Sequence, residues 1–166
     1  MKPMKGKVWT FGDNIDTDLI IPHAYLMTDD PQVQVHHAFE SIYEKFYEKV
    51  VPGDIIVAGT NFGAGSSREE AVFVLKEMGI SLVIADSIAR IYYRNLINLG
   101  ILAINLPGVS NHVKSGDILT VDPVIGKTTN NSNKKKFTFL PFSDRILSII
   151  IDGGAISHLR KQLRKH

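Results

Sequence analysis

Three short apolar runs, at residues 54–59, 82–85 and 101–104, are separated by stretches of helical period, and each has a Gly within three residues before it. They are too short for helices and lack polar alternation, so each predicts a strand buried on both faces. Gly79 and Gly100 stand where helix C-caps belong, after residues 71–75 and after a helix expected over 87–98. The middle of the chain therefore reads β-turn-α-β-α-β. That order restricts the fold to the α/β class, with parallel strands and helices on the sheet faces.

The flanks add to this frame. Residues 7–11 alternate and stop at Gly12-Asp13-Asn14, a strand and a turn. Asp29-Asp30-Pro31 predicts a helix start, with aspartate as cap and proline in the first turn. Ala38, Phe39, Ile42, Tyr43, Phe46 and Tyr47 then recur at helical spacing, a stripe expected to pack into the core. Residues 117–121 and 137–140 predict short strands around a polar hairpin tip at 126–136. Ser143-Asp144 caps an apolar helix over 146–151, Gly153-Gly154 breaks it, and an amphipathic helix follows through Ile156, Leu159 and Leu163. No repeat or long linker divides the chain, so one domain over residues 1–166 is expected.

Composition narrows the function classes. A formal net charge of +2 is too small to draw nucleic acid or a membrane surface by bulk electrostatics. The basic runs at 134–136 and 160–165 read as a solvated tip and tail. No apolar run approaches a membrane span, and no apolar signal core follows the first lysines, so a cytoplasmic location is expected. The chain has no cysteine. It therefore has no disulfide, no thiolate nucleophile and no cysteine ligand for zinc or an iron–sulfur cluster. The six histidines show no metal-site spacing, and adjacent His36 and His37 would point to different helix faces. No metal site is expected.

The turn after the first apolar run concentrates polar chemistry: Asn61-Phe62-Gly63-Ala64-Gly65-Ser66-Ser67-Arg68-Glu69. Gly63 and Gly65 permit positive φ and a close backbone approach to a ligand. Ser66, Ser67 and Arg68 are expected on the first helical turn, where free N–H groups favour a carboxylate or phosphate. A plain connection with a Ser66–Glu69 capping box accounts for neither the glycines nor the arginine. The segment has no GxxxxGK[ST], has Arg68 where a dinucleotide fingerprint has its third glycine, and lacks GxSxG.

Residues 61–69 do resemble the active-site signature of the swivelling domain of the aconitase superfamily. Three further segments agree in order and spacing. They are Phe11-Gly12-Asp13-Asn14-Ile15-Asp16-Thr17-Asp18 with Ile21-Pro22, the run Ala85-Asp86-Ser87-Ile88-Ala89-Arg90-Ile91-Tyr92-Tyr93-Arg94-Asn95, and Asn98-Leu99-Gly100-Ile101. The resemblance covers about residues 5–122, and within the superfamily it looks most like the short small subunits of the 3-isopropylmalate dehydratase family. It implies a swivelling β/β/α domain, with a small mixed sheet flanked by helices. It implies a hydro-lyase of leucine biosynthesis acting on a small hydroxy-dicarboxylate, active only with a large subunit that carries a 4Fe–4S cluster on its own cysteines.

By position, the resemblance makes Ser66 the base and gives Ser67 and Arg68, beside Gly65, to the substrate carboxylate. Leu26 and Met27, in the loop after the N-terminal motif, fall in the segment that sets substrate choice. Homoaconitase-like relatives carry arginine at the place of Met27; an apolar, adaptable methionine suits an isopropyl group better. Arg90 and Arg94 are near enough in sequence to reach substrate, although Arg90 is expected to brace the loop or Asp16 and Asp18. Two positions depart from the family pattern: Ala64, where cysteine is frequent, and Glu70, where many relatives have histidine. The rival readings are a related hydro-lyase acting on homoaconitate or a methylmalate-type acid, and a non-catalytic anion-binding module.

Overall fold

The computed structural model describes residues 1–28 and 30–164. In chain order its elements are β1 (Met4–Thr10), α1 (Thr17–Ile20), a 3-10 turn (His23–Tyr25), α2 (Pro31–His36), α3 (Phe46–Lys49), β2 (Ile55–Ala58), α4 (Glu70–Glu77), β3 (Leu82–Ala85), α5 (Arg90–Leu99) and β4 (Leu102–Asn105). A second 3-10 turn (Val109–His112) leads to β5 (Ile118–Asp122), β6 (Lys127–Asn130), β7 (Lys136–Thr138), α6 (Asp144–Ile151) and α7 (Ala155–Leu163).

The apolar runs become neighbours in one mixed sheet of order β4-β3-β2-β1-β5-β6-β7. β1 to β4 are parallel, in a register that sets Val8 opposite Ile55, Ile55 opposite Leu82, and Leu82 opposite Leu102. Every residue of β2 and β3 is buried, as strands covered on both faces require. β5, β6 and β7 are antiparallel. β1 serves both halves: Met4–Lys7 pair with β5 and Val8–Thr10 with β2. The α/β reading and the mixed sheet flanked by helices hold. No helix among the described residues is long and apolar enough to cross a membrane.

Three expectations are corrected. The helix expected under the aromatic stripe breaks after His36, because Phe39 (φ 57°) and Lys45 (φ 52°) are left-handed. Turns let Phe39 and Phe46, both fully buried, converge on Phe11 at ring distances of 4.5 and 5.7 Å. Aromatic packing on one centre outweighs continuation of the helix. Asp30 does cap α2 through the Gln32 amide; Asp29 and Lys165, which the expected cap and tail also involved, lie outside the described residues.

The second correction concerns the polar tip at 126–136, which contains a strand of its own. Lys127-Thr128-Thr129-Asn130 is β6, and its polar letters hid the burial of Thr128 and Asn130. The third concerns the helix after the glycine-rich turn. It starts only at Glu70, with Glu69 as an N-cap that makes no side-chain hydrogen bond. The capping box is not formed, and Ser66, Ser67 and Arg68 stand on a loop before the helix. At the far end, Ser143 caps α6 as expected.

Candidate functional site

The three motifs follow β1, β2 and β3 and meet at the carboxyl ends of these parallel strands, where open α/β sheets leave a crevice for ligands. Residues 61–69 form the middle loop, stitched on both sides. Toward the N-terminal motif, the Gly63 amide donates to the Ile15 carbonyl (2.7 Å), and the Thr17 amide to the Ala64 carbonyl (2.9 Å). Thr60 donates its amide to Asp13 Oδ1 (2.6 Å). Toward the segment after β3, the Asn61 amide donates to Ser87 Oγ (2.8 Å), the Phe62 amide to the Ser87 carbonyl (3.0 Å) and the Ala89 amide to the Phe62 carbonyl (2.9 Å). Asp16 accepts from the Leu19 amide (2.8 Å) and caps α1.

The glycines have separate causes. Gly63 (φ 74°) lies under Tyr92, and a Cβ there would overlap the ring. Gly65 (φ 91°) is exposed, with only a loose approach to Thr17. Tyr92 is fully buried and donates to the Ala71 carbonyl (2.8 Å); burial pushes its phenol well above the usual value, so it stays neutral and ties α5 to α4.

Ser66 and Ser67 are exposed, and among the described residues neither hydroxyl has a hydrogen-bond partner. The Ser66 carbonyl is held instead, by the Arg68 amide (2.8 Å) and by Thr17 Oγ1 (3.1 Å). Arg68, with 15% of its side chain exposed, pairs through Nη1 with Asp18. That pairing replaces the expected brace by Arg90, which is exposed and forms no ion pair among the described residues. Arg90 lines a cavity of about 280 Å³ together with Gly65, Ser66, Ser67, Ile91 and Tyr92. Arg94 is also exposed.

The loop after the N-terminal motif stands apart from that cavity. Met27 is 91% exposed and Leu26 is half-buried; neither lines it. Tyr25 before them stacks on His37 at 3.7 Å, and its carbonyl accepts from Gln34 Nε2 (3.2 Å). Ala64 is half-buried and bridged to Asp16, and Glu70 is half-buried at the start of α4. Sequence reasoning missed Thr17 and Asp18 as the groups that hold Ser66 and Arg68, and Ile91 as cavity wall. Thr17 and Asp18 stood in the N-terminal motif, with Asp18 expected to pair with Arg90 rather than Arg68, and Ile91 had a local signal as an apolar residue following Ala89-Arg90 on a helix entrance.

No three His, Asp or Glu side chains among the described residues come together as a metal site. An iron–sulfur cluster needs thiolates; without a cysteine, this chain does not fit one.

The chain is similar to known proteins over its whole length. The family model of the aconitase C-terminal domain matches residues 11–108. The 3-isopropylmalate dehydratase small subunit of Nautilia profundicola is 44% identical, covering 100% of this chain and 99% of the relative. The methanogen homoaconitase small subunit of Methanothermobacter thermautotrophicus is 43% identical, covering 96% and 92%. The crystal structure of a 3-isopropylmalate dehydratase from Methanocaldococcus jannaschii superposes with a TM-score of 0.89 at 40% identity, covering 99% of this chain and 100% of that one. With its motifs at the ends of three parallel strands and this likeness end to end, the chain belongs to the aconitase C-terminal domain family.

Proposed function

We propose that this chain is the small subunit of a 3-isopropylmalate dehydratase, interconverting 2-isopropylmalate and 3-isopropylmalate through isopropylmaleate in leucine biosynthesis. The observation that carries the proposal is the pair of unpartnered hydroxyls, Ser66 and Ser67, on a loop hydrogen-bonded to both neighbouring motifs and lining a cavity of about 280 Å³. Ser66 Oγ, as its alkoxide, takes the proton from the carbon next to a carboxylate while hydroxide leaves the neighbouring carbon. The elements of water are thus lost and a double bond forms; their return with the two carbons exchanged, the proton coming back from Ser66, completes the isomerisation. Ser67 and the remaining N–H groups of Arg68 hold the carboxylate, and Gly65 lets the backbone approach it. The 4Fe–4S cluster belongs, in this reading, to a large subunit whose surface closes the site over Ser66. The chain acts as one domain of a cytoplasmic hetero-oligomer.

Serine is a weak base, and its alkoxide needs positive charge nearby. The start of α4 lies beyond Ser66 and Ser67, so its dipole contributes less than a serine on the first turn would receive. Arg68 and groups from the partner supply the rest.

Identities of 44% and 43% to the two kinds of relative do not separate their substrates. Ile91 on the cavity wall favours an aliphatic group over a third carboxylate; the part of Met27 in substrate choice rests on the family resemblance, since it stands apart from the cavity. The test is reconstitution with a cluster-bearing large subunit, following the absorbance of the unsaturated intermediate. Turnover of isopropylmalate only with both chains present supports the proposal. Turnover of homoaconitate alone keeps the reaction and rejects the substrate. Activity on neither favours an anion-binding module. Met27→Arg is expected to shift preference toward homoaconitate, and unchanged selectivity removes Met27 from substrate choice.

A further inference from the structure

The cavity at the loop holds a cation that no carboxylate among the described residues has claimed. Arg68 is largely buried and turned to Asp18. Arg90 is exposed, forms no ion pair among the described residues, and shares the cavity wall with Ser66, Ser67 and Ile91. Its backbone is fixed from three sides. The Ala89 amide bonds to the Phe62 carbonyl, the Ile88 amide to Asn105 Oδ1 (2.7 Å), and the Tyr92 hydroxyl to the Ala71 carbonyl. An exposed arginine is unremarkable in water; one held on the same wall as two unpartnered hydroxyls is placed to meet an anion.

We infer that Arg90 binds one carboxylate of a substrate lying over Ser66 and Ser67, with Ile91 beside it as the wall for an aliphatic substituent. This rests on the hydro-lyase reading above. A dicarboxylate brings two anionic groups. In that reading Ser67 and the N–H groups of Arg68 not given to Asp18 meet one of them, and a second left against Ile91 without a cation would be costly to desolvate. The planar fork of a guanidinium suits that second group bidentately, where a lysine offers only a point charge.

The experiment uses the two-chain enzyme, with kcat, KM and subunit affinity measured for Arg90→Gln, Arg90→Lys and Ile91→Ala. The substrates are 2-isopropylmalate and the same diacid with methyl in place of isopropyl. Arg90→Gln is expected to raise KM for both diacids by about 10- to 100-fold while leaving subunit affinity unchanged. Arg90→Lys should recover part of the loss. Ile91→Ala should narrow the preference for isopropyl over methyl by about tenfold. An unchanged KM in Arg90→Gln overturns the inference. Weakened subunit association with a normal KM at saturating partner overturns it too, and makes Arg90 a subunit contact. If the wild-type pair turns over neither diacid, the hydro-lyase reading fails and this inference falls with it.

Discussion

The two halves of the sheet are held by different chemistry. In the parallel half, β2 and β3 are apolar at every position and buried throughout, and the polar residues of the candidate site lie in the segments that follow the strands. In the antiparallel half, β5 alternates between buried and half-buried, and its support is a side-chain network. Asn130, fully buried, donates to Asp117 Oδ2 (2.6 Å) and accepts from the Ser132 amide (2.9 Å). Asn131 donates to Thr120 Oγ1 (2.8 Å). A fully apolar strand set is insensitive to the polar loops grafted on its ends, which leaves them free to carry chemistry. In the network half the side chains of Asn130, Asn131, Asp117 and Thr120 are committed to neighbours, while Thr128 Oγ1 has no partner among the described residues. The difference agrees with the proposal that function sits in one half and support in the other.

That division can be broken, and the largest effect is expected at Ser66. Ser66→Ala should lower turnover of the assembled enzyme by about 10³-fold or more. Because the side chain is exposed, its melting temperature should hardly move. Near-normal turnover would remove Ser66 as base. Gly63→Ala should damage both fold and activity. It combines a positive φ with overlap on Tyr92, at about 2–4 kcal/mol by denaturant titration. A loss below about 0.5 kcal/mol would mean that α5 shifts freely against the loop.

In the other half, Asn130→Ala should cost about 1–3 kcal/mol, since it empties the space of a fully buried side chain and removes the partner of the Asp117 carboxylate and the Ser132 amide. Turnover per folded enzyme should stay normal; a specific loss of kcat would break the division between the halves. Acid should find the same network. Desolvation raises the Asp117 carboxyl, but the Lys114 amide and the Asn130 and Ser132 side chains outweigh it and hold it below the usual 3.8. Its stabilising contribution is therefore present above that value and fades as pH falls through the lowered one. Melting temperature against pH should show an acid limb that Asp117→Asn flattens. The smallest effect is expected at Thr128, whose Oγ1 is the one buried side-chain polar atom without a partner among the described residues. Thr128→Val should stabilise by up to about 1 kcal/mol in the same titration.

The legibility of the sequence follows the same boundary. Runs such as Ile55-Ile56-Val57-Ala58 announce a buried parallel strand because nothing else suits an unbroken apolar tetrad between turns. The site loop was legible as a place, from Gly63, Gly65 and the serines. Its wiring was not. That Thr17 holds the Ser66 carbonyl and Asp18 holds Arg68 depends on strand ends brought together only by the sheet. β6 went unseen because Thr128 and Asn130 look solvated until Asp117 and its neighbours make burial affordable. The stripe from Ala38 to Tyr47 had helical spacing for another reason: aromatic residues were gathered around Phe11 by turns.

The split allegiance of β1 bears on how the chain is made. This strand precedes both of its partners in the sequence, yet its second half waits for β2 and its first half for β5, which comes much later. Until then it is a nascent edge, able to pair with strands of other chains. Lys5 and Lys7 are spaced along the half that waits longest, and Lys7 folds its ammonium over Trp9 at 4.3 Å. Charges at that spacing discourage strand addition by strangers while leaving the register for β5 intact. The earliest strand of the sheet thus carries its own protection for the interval before its partners are made.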